Sequence, residues 1–189
     1  MNKIYGFLGE IKHKYDDKVM GLFSKLFQAL PLAATIEQKV FVVHGGLSTQ
    51  EGGVTLEEIS RIQRFREPPE SGLMSDLLWS DPQPQLGRSP SKRGLGFSFG
   101  PDYTEAFLRQ NDLQLVIRSH EVRDEGYELE HGGKCITVFS APNYCDQMGN
   151  KGAFVRFSDA SMKPSFFQYE AVPHPNIPPM KYAGNLFSL

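Results

Sequence analysis

The sequence predicts a fold of mixed α and β elements, formed by one domain or by part of one. Three observations predict it. Apolar residues recur at helical spacing in the first thirty residues, three apolar strands are each followed by a short polar motif, and a two-glycine turn joins two alternating runs. Of 189 residues, 40% are hydrophobic and 22% are charged, which is ordinary for a domain with a buried core.

Helical periodicity extends over residues 3–29, and the polar residues near position 16 predict two helices with a break between them. Residues 39–43 form an apolar run that predicts a strand. Gly45 and Gly46 follow it directly, so we expect a sharp turn there, beside a bound group.

The middle of the chain predicts a short helix and then a long loop. Thr55 is the expected N-cap of a helix that ends near residue 62, because Glu57 and Glu58 occupy its first turn. Residues 64–100 are rich in Pro, Gly and Ser, which predicts irregular structure around a short helix near residues 75–78. A long ordered loop in a compact domain is usually functional.

The last third of the chain is predicted to be mainly β-structure. Residues 102–111 have a helical pattern and residues 113–117 an apolar strand pattern. Residues 127–139 predict a hairpin that turns at Gly132 and Gly133. Two further strands are expected at 152–157 and 165–172, followed by a tail interrupted by prolines.

Composition makes several classes of function poor candidates. The formal net charge is -2 and there is no basic stripe, so neither nucleic acid nor a membrane surface is an expected partner. No apolar run reaches the length of a membrane span, and the N-terminus does not resemble a signal peptide, so we expect an intracellular protein. The cysteines, Cys135 and Cys145, are too few for a disulfide framework and are expected to be free thiols.

Polar motifs follow three of the predicted strands at their carboxyl ends. His44 follows residues 39–43, His120 follows residues 113–117, and Tyr144 follows the second strand of the hairpin. Open α/β-type sheets place their functional sites at such strand ends. The three motifs are therefore predicted to meet at one edge of a sheet, in a catalytic arrangement.

The residue types leave two interpretations open at each position. His44 and His120 are either structural histidines with satisfied ring nitrogens or ligands of a divalent metal, although two imidazoles alone do not fill a coordination sphere. Arg93 is either a solvated charge or a bidentate phosphate ligand. Tyr144 is either a half-buried loop aromatic or part of a binding cleft.

Other polar residues of the chain are not expected to bind metal or substrate directly. Asp81, in the run W-S-D-P, is expected to accept hydrogen bonds from backbone amides in an ordered turn. Glu121 is either an outer partner of a metal site or part of an acidic rim. Three histidines, on a helix, a hairpin turn and the tail, are expected to be structural or solvated: His13, His131 and His174.

The strings H-G-G-L, L-L-W-S-D-P, K-R-G, R-S-H-E and S-A-P-N-Y-C, in this order, resemble the C-terminal half of the catalytic domain of phosphoprotein Ser/Thr phosphatases. These enzymes belong to the calcineurin-like metallophosphoesterase superfamily. The runs R-S-H-E-V and C-D-Q-M-G-N-K and the tail H-P-N with P-M-K-Y-A are similar to the protein phosphatase 5 branch. The resemblance implies an α+β fold, namely the C-terminal portion of an α/β/β/α two-sheet sandwich with flanking helices.

The resemblance also implies roles for individual residues. His44 and His120 would bind one metal of a dinuclear centre, Arg93 would bind the substrate phosphate, and Tyr144 would line the cleft and contact that phosphate. The implied cofactors are two divalent ions, which are either both manganese or iron together with zinc. A hydroxide that bridges the two ions would attack the phosphorus atom. Cys145 would then lie at the rim and not act as a nucleophile.

Three motifs of the family, G-D-x-H-G, G-D-x-V-D-R-G and G-N-H-E, do not occur in this sequence. In the family they supply the remaining metal ligands, a second phosphate-binding arginine and the acid histidine. Residues 1–189 are therefore expected to form a partial metallophosphatase catalytic domain. Two histidines without carboxylates cannot hold a dinuclear centre, so the isolated chain is expected to be inactive or nearly so. It is also expected to be unstable, self-associating or completed by another chain.

The first functional hypothesis is thus a metal-dependent protein Ser/Thr phosphatase to which this chain contributes part of the site. The alternative is a non-catalytic, phosphatase-derived module that binds other proteins. A phosphoesterase for nucleotides is disfavoured by the type 5 motifs. The resemblance implies phosphoprotein substrates, heat-shock chaperones as partners through a tetratricopeptide domain outside this chain, and a cytoplasmic or nuclear location. Residues 173–189 are a candidate contact for such a regulatory domain.

Overall fold

The computed structural model describes residues 1–177 and contains both helices and strands. In chain order they are α1 (Phe7–Lys14), α2 (Asp17–Ala29), β1 (Ala33–Ile36), β2 (Val40–Val43), α3 (Leu56–Ser60), α4 (Leu73–Trp79), β3 (Asp81–Pro82), β4 (Arg88–Pro90), β5 (Phe97–Phe99), α5 (Pro101–Gln110), β6 (Leu115–Arg118), β7 (Tyr127–Glu130), β8 (Cys135–Val138), β9 (Gly152–Phe157) and β10 (Pro164–Tyr169). No helix within residues 1–177 is long and apolar enough to cross a membrane.

The chain divides into two units, Met1–Leu30 with Val172–Leu189, and Pro31–Ala171. Residues 178–189 of the predicted tail lie outside the described residues, as does most of the candidate regulatory contact at 173–189. In the first unit, α1 and α2 confirm the predicted pair of helices. The Asp16 side chain accepts a hydrogen bond of 2.9 Å from the Val19 amide and so begins α2. The ring of Phe7 packs edge-on against Phe23 at 5.2 Å.

The second unit is built around a five-stranded sheet with the strand order β1-β2-β6-β8-β7. Strands β2, β6 and β8 are parallel, with Val42 opposite Ile117 and Arg118 opposite Thr137. Strand β7 pairs antiparallel with β8 and confirms the predicted hairpin, whose turn contains Gly132 at φ 66°. The three predicted strands that precede polar motifs therefore lie side by side and run in the same direction.

Alternate residues of this sheet pack against different layers. One face contacts the helices: Phe41 and Val116 lie in a cluster with Phe107 and Leu108 of α5. The other face contacts the two-stranded sheet of β9 and β10 through a second cluster: Val40, Leu115, Ile136, Phe157 and Phe166. This unit is therefore layered α/β/β, with the three parallel strands buried on both faces and the edge strands β1 and β7 largely exposed. Full burial of a side chain such as Phe41 contributes about 1.5–3 kcal/mol.

Strand β1 is absent from the sequence prediction. It pairs antiparallel with β2 through a tight turn in which Glu37 and Gln38 have φ values of 49° and 53°. Positive φ in such turns normally calls for Asn or Gly, so this hairpin carries no turn signal in its sequence. The short strand A-A-T-I also lacks the alternation of a half-buried strand.

Residues 64–100 are mostly irregular, as predicted, but the prediction missed a small sheet in this segment. Besides α4, which confirms the short helix, the segment contains a three-stranded sheet with the order β3-β5-β4. Its strands are two or three residues long and include Pro82 and Pro90, so they are too short to show a period-two pattern. Asp81 therefore begins a strand and does not lie in a turn.

Candidate metal and phosphate site

The carboxyl ends of β2 and β6 bring His44 and His120 together. The Ser119 amide donates a hydrogen bond of 3.0 Å to the carbonyl oxygen of His44, which continues the pairing of the two strands beyond their ends. The centroids of the two imidazole rings are 4.7 Å apart, and the rings are inclined at 65°. The prediction that these motifs meet at one edge of the sheet is confirmed for this pair.

Close packing against neighbouring backbone atoms requires glycine at positions 45 and 46. The chain bends at His44 and Gly45 as predicted, but neither glycine has a positive φ. A Cβ on Gly45 would lie 2.6 Å from the Trp79 amide nitrogen, and one on Gly46 would lie 2.7 Å from the Ser80 carbonyl oxygen. The end of α4 thus packs directly on the backbone that follows His44, and only glycine permits this approach.

Gly45→Ala is expected to lower the free energy of unfolding by about 1–3 kcal/mol, because the added methyl group would overlap backbone atoms that have no freedom to move aside. Urea unfolding measures this. Gly21→Ala is the matched control, since a Cβ there meets nothing within 4 Å and alanine favours the helix. Equal effects of the two substitutions would contradict the steric explanation.

His120 differs from a structural histidine in its hydrogen bonding. Its Nε2 is buried and has no hydrogen-bond partner within residues 1–177. In His131, by contrast, Nε2 donates to the Gln83 carbonyl at 2.9 Å and Nδ1 accepts from the Thr104 hydroxyl at 2.7 Å. His131 is therefore the satisfied structural histidine that the sequence suggests, whereas a buried nitrogen left unpaired is costly unless a ligand uses it.

The backbone of His120 is also unusual. Its φ is 78°, a left-handed conformation that non-glycine residues adopt at a cost of about 1–3 kcal/mol. Arg93 Nη2 donates a hydrogen bond of 3.0 Å to the His120 carbonyl oxygen and helps to hold this conformation. The Trp79 ring packs edge-on against the imidazole at 5.6 Å. Strain of this kind is concentrated at functional sites.

Both imidazoles are neutral at neutral pH. Burial lowers the pKa of His120 to about 4, and the positive charge of Arg93 acts in the same direction. Burial, together with the charges of Arg118 and Arg93, also lowers the pKa of His44. A neutral imidazole offers a nitrogen lone pair, which is the form that binds a metal.

These shifts predict how the stability of the metal-free protein depends on pH. In the unfolded chain His120 titrates near 6.5, whereas the folded protein binds this proton only near pH 4. The unfolded state therefore binds more protons between these values, and the free energy of unfolding should fall as the pH drops from 6.5 to 4. Urea unfolding in the presence of a chelator measures the slope, and a His120→Gln variant should have a shallower slope. Equal slopes would contradict the assignment.

Arg93 forms an ion pair in the structure and is not freely solvated. Its Nε donates to Asp81 Oδ2 at 2.6 Å and its Nη2 to Asp81 Oδ1 at 3.3 Å. The side chain is 26% exposed. With the bond to the His120 carbonyl, three of its five N–H groups are used on the Nε and Nη2 side of the guanidinium. Arg93 thus lies beside the two histidines, as the predicted phosphate-binding role requires.

Asp81 and Arg118 are polar residues of this site that the sequence did not reveal. Asp81 accepts its hydrogen bonds from Arg93 and Arg118, so the expected contact with backbone amides in a turn is corrected. Burial alone would raise the pKa of Asp81, but the hydrogen bond from Arg93 and the charge of Arg118 outweigh it and lower the pKa. Glu121 accepts from Arg118 and Arg123 at 3.0 Å each, so it belongs to this network and not to an acidic rim.

Tyr144 lies on the loop that follows β8, at the same edge of the sheet. Its ring packs edge-on against Phe139 at 5.0 Å, and 45% of the residue is exposed. The buried Asn150 shapes this loop, because its Oδ1 accepts from the Tyr144 amide at 2.8 Å and its Nδ2 donates to the Ala141 carbonyl at 2.9 Å. No hydrogen bond or ring contact in the described part of the chain joins Tyr144 to either histidine.

Both cysteines are free thiols, as expected. Burial raises the pKa of Cys135 to about 12, so this thiol is not a nucleophile. Cys145 is exposed on the loop of Tyr144. Among residues 1–177 no group of three or more His, Cys, Asp or Glu side chains is arranged to hold a metal ion, and His44 and His120 form only a pair.

Comparison with known proteins gives consistent similarities. The sequence pattern of the family described as calcineurin-like phosphoesterase matches residues 3–124. The chain is 62% identical over 189 residues to serine/threonine-protein phosphatase 5 of Solanum lycopersicum, of which it covers 34%. It is 58% identical over the same length to the human protein of that name, of which it covers 38%.

A solved structure shares the fold. It is described as a protein serine/threonine phosphatase from Saccharomyces cerevisiae with similarity to human phosphatase PP5. The TM-score is 0.88 and the sequence identity 43%, over 96% of this chain and 60% of the other. The predicted α+β sandwich and the resemblance to the type 5 branch are confirmed. The chain spans 34–38% of the length of these two curated relatives.

Proposed function

Because this chain belongs to the calcineurin-like phosphoesterase family, we propose that it supplies one side of the active site of a metal-dependent protein serine/threonine phosphatase. The reaction is hydrolysis of phosphoserine and phosphothreonine monoesters, and the substrates are phosphoproteins of the cytoplasm or nucleus. The observation that carries the proposal is His120 Nε2, buried without a hydrogen-bond partner in residues 1–177 beside the His44 ring.

The two imidazoles fit a divalent metal as ligands. Both rings are neutral because their pKa values are lowered. A bound metal would supply the partner that the buried Nε2 of His120 lacks among residues 1–177. When bound, divalent metals such as manganese, or iron and zinc, polarise a phosphate ester and activate water. Two imidazoles leave coordination positions for other ligands and for substrate oxygens.

Arg93 is proposed to bind the phosphate group of the substrate. Asp81 and the His120 carbonyl occupy its Nε and Nη2 side, which leaves the two N–H groups of Nη1 for a phosphoryl oxygen. Charge-assisted hydrogen bonds of this kind are strong, and arginine stays protonated at any working pH.

Tyr144 is proposed to line the same cleft. Its exposure and the loop conformation fixed by Asn150 support this role, because a phenol hydroxyl on an ordered loop can donate to a phosphoryl oxygen. We also propose that heat-shock chaperones regulate the enzyme through a tetratricopeptide domain outside this chain.

A second candidate function is protein binding without turnover. The observation that favours it is the lack of a third metal ligand near His44 and His120 within the described residues. Such a module would bind partners of the phosphatase through the same face without hydrolysing a phosphoester. Metal content and activity separate the two functions.

The experiment is purification of the polypeptide from its native source, followed by intact-mass and metal analysis and by hydrolysis of a phosphopeptide in the presence of manganese. We expect a mass above 21.3 kDa, two metals per chain, and phosphopeptide turnover that far exceeds turnover of a nucleotide. Arg93→Ala should lower kcat/KM strongly, whereas Arg61→Ala, at an exposed arginine paired with Glu57, should not.

Other outcomes have clear meanings. A mass of 21.3 kDa with neither metal nor turnover would support the binding module. Bound metals with turnover of the nucleotide alone would indicate a different phosphoesterase. An Arg93→Ala enzyme with unchanged kinetics would show that this arginine does not bind the phosphate.

A further inference from the structure

One carboxylate, Asp81, joins two guanidinium groups next to the histidine pair. It accepts hydrogen bonds from Arg93 Nε at 2.6 Å and from Arg118 Nη2 at 2.7 Å. The side chain of Asp81 is 6% exposed, that of Arg118 is fully buried, and that of Arg93 is 26% exposed. The three groups thus form a chain that leads from the interior of the protein to the candidate site.

The inner end of this chain is rigid. Arg118 Nε donates to the Gly45 carbonyl at 2.6 Å, and Gly45 directly follows His44. Arg118 Nη1 donates to Glu121 Oε2 at 3.0 Å and to the Thr137 hydroxyl at 3.3 Å on the neighbouring strand. Arg118 is therefore fixed to the ends of β2, β6 and β8 at once, and its planar fork leaves Asp81 little freedom.

The outer end of the chain sets the direction of Arg93. Both Asp81 oxygens contact the Nε and Nη2 side of the guanidinium, so the plane of the group is fixed as well as its position. Glu121 meanwhile accepts from Lys92 at 3.2 Å, so the residue before Arg93 is held by a second carboxylate bound to Arg118. Two carboxylates, Asp81 and Glu121, thus link the turn at Lys92–Arg93 to the same buried arginine, Arg118.

We propose that Asp81, held in place by Arg118, is a positioning residue that directs the free edge of Arg93 towards a phosphoryl oxygen. This inference rests on the proposed function, since it assumes that Arg93 binds phosphate. Asp81 contacts neither substrate nor metal in this role. By holding the guanidinium group in one orientation, Asp81 reduces the conformational entropy that Arg93 would otherwise lose on binding phosphate.

The test is a double-mutant cycle that uses inorganic phosphate as the ligand and inhibitor of the metal-loaded enzyme. Asp81→Asn should weaken phosphate binding by about tenfold or more, a loss of the size that misplaced positioning groups cause. In an Arg93→Ala background the same substitution should change phosphate binding by less than about twofold, because its effect acts through Arg93. Asp81→Glu should restore part of the affinity.

The controls separate positioning from stability. Glu105→Gln makes the same chemical change at an exposed ion pair with Lys134 and should leave phosphate binding unchanged. Metal content should be the same in all variants. If the effects of Asp81→Asn and Arg93→Ala multiply, or if Asp81→Asn binds phosphate normally, the inference is wrong while the proposed function stands. If Arg93→Ala binds phosphate normally, both the inference and the proposed phosphate-binding role of Arg93 are wrong.

A measurement on the unsubstituted protein covers the case in which Asp81→Asn does not fold. The Arg93 Nε–H signal in a nitrogen–proton NMR spectrum should be protected from exchange with solvent, and added phosphate should shift it little, while the terminal N–H signals of Arg93 move. A rapidly exchanging Nε–H, or one that phosphate shifts more than the terminal groups, would overturn the inference.

Discussion

Arg118→Met is expected to lower the free energy of unfolding by about 3–5 kcal/mol, the usual cost of removing one partner from a buried ion pair. The side chain of Arg118 is completely buried and contacts the carboxylates of Asp81 and Glu121 and the Gly45 carbonyl. Methionine has a similar length but donates no hydrogen bond, so the Gly45 carbonyl would lose this donor. Asp81 and Glu121 would each lose one of their cationic partners and keep the others, Arg93 and Arg123. Urea unfolding of the metal-free protein measures the loss.

Arg109→Met is the matched control. Arg109 lies in the last turn of α5 and is exposed, so its replacement should change stability by at most a few tenths of a kcal/mol. If Arg118→Met lost less than about 1 kcal/mol, the network would have to be stabilised mainly by its other members. Arg93 would then be held independently of Arg118, and the positioning chain would lose its inner anchor.

The part of the site that the sequence predicted depends on strand ends. An apolar run followed by a polar residue predicts both a buried strand and the residue that lies at its end, as it does for His44, His120 and Tyr144. Parallel pairing of β2 with β6 and of β6 with β8 was needed to bring them to one edge. Arg93 lies in a segment without periodicity, and only the resemblance to the phosphatase family implies the phosphate-binding role that is proposed for it.

The rest of the site could not be predicted because it consists of long-range contacts. Asp81 and Arg118 are separated by 37 positions, and the Arg118 contact with Gly45 spans 73 positions. Neither contact has a local sequence signal, since an arginine in a strand is usually solvated. The same limit applies to Asn150, whose role in shaping the Tyr144 loop depends on the folded backbone around it.

His120→Ala is expected to abolish specific binding of a divalent metal by this pair of histidines. The substitution removes one of two imidazoles whose rings lie 4.7 Å apart, and a single imidazole binds weakly. Zinc affinity of the protein, measured by calorimetry, should fall by more than about tenfold, since even the loss of an outer partner of a metal ligand costs that much. Zinc should raise the unfolding temperature of the parent but not that of the variant.

The stability of the metal-free His120→Ala protein is an independent test of the role of His120. His120 Nε2 is buried without a partner in residues 1–177, so alanine removes an unsatisfied polar group while leaving a cavity, and these two effects partly offset each other. We therefore expect a small change in urea unfolding, beside a large loss of zinc binding. A variant that keeps full zinc affinity would show that His120 is not a ligand, and the unpaired nitrogen would then need another partner.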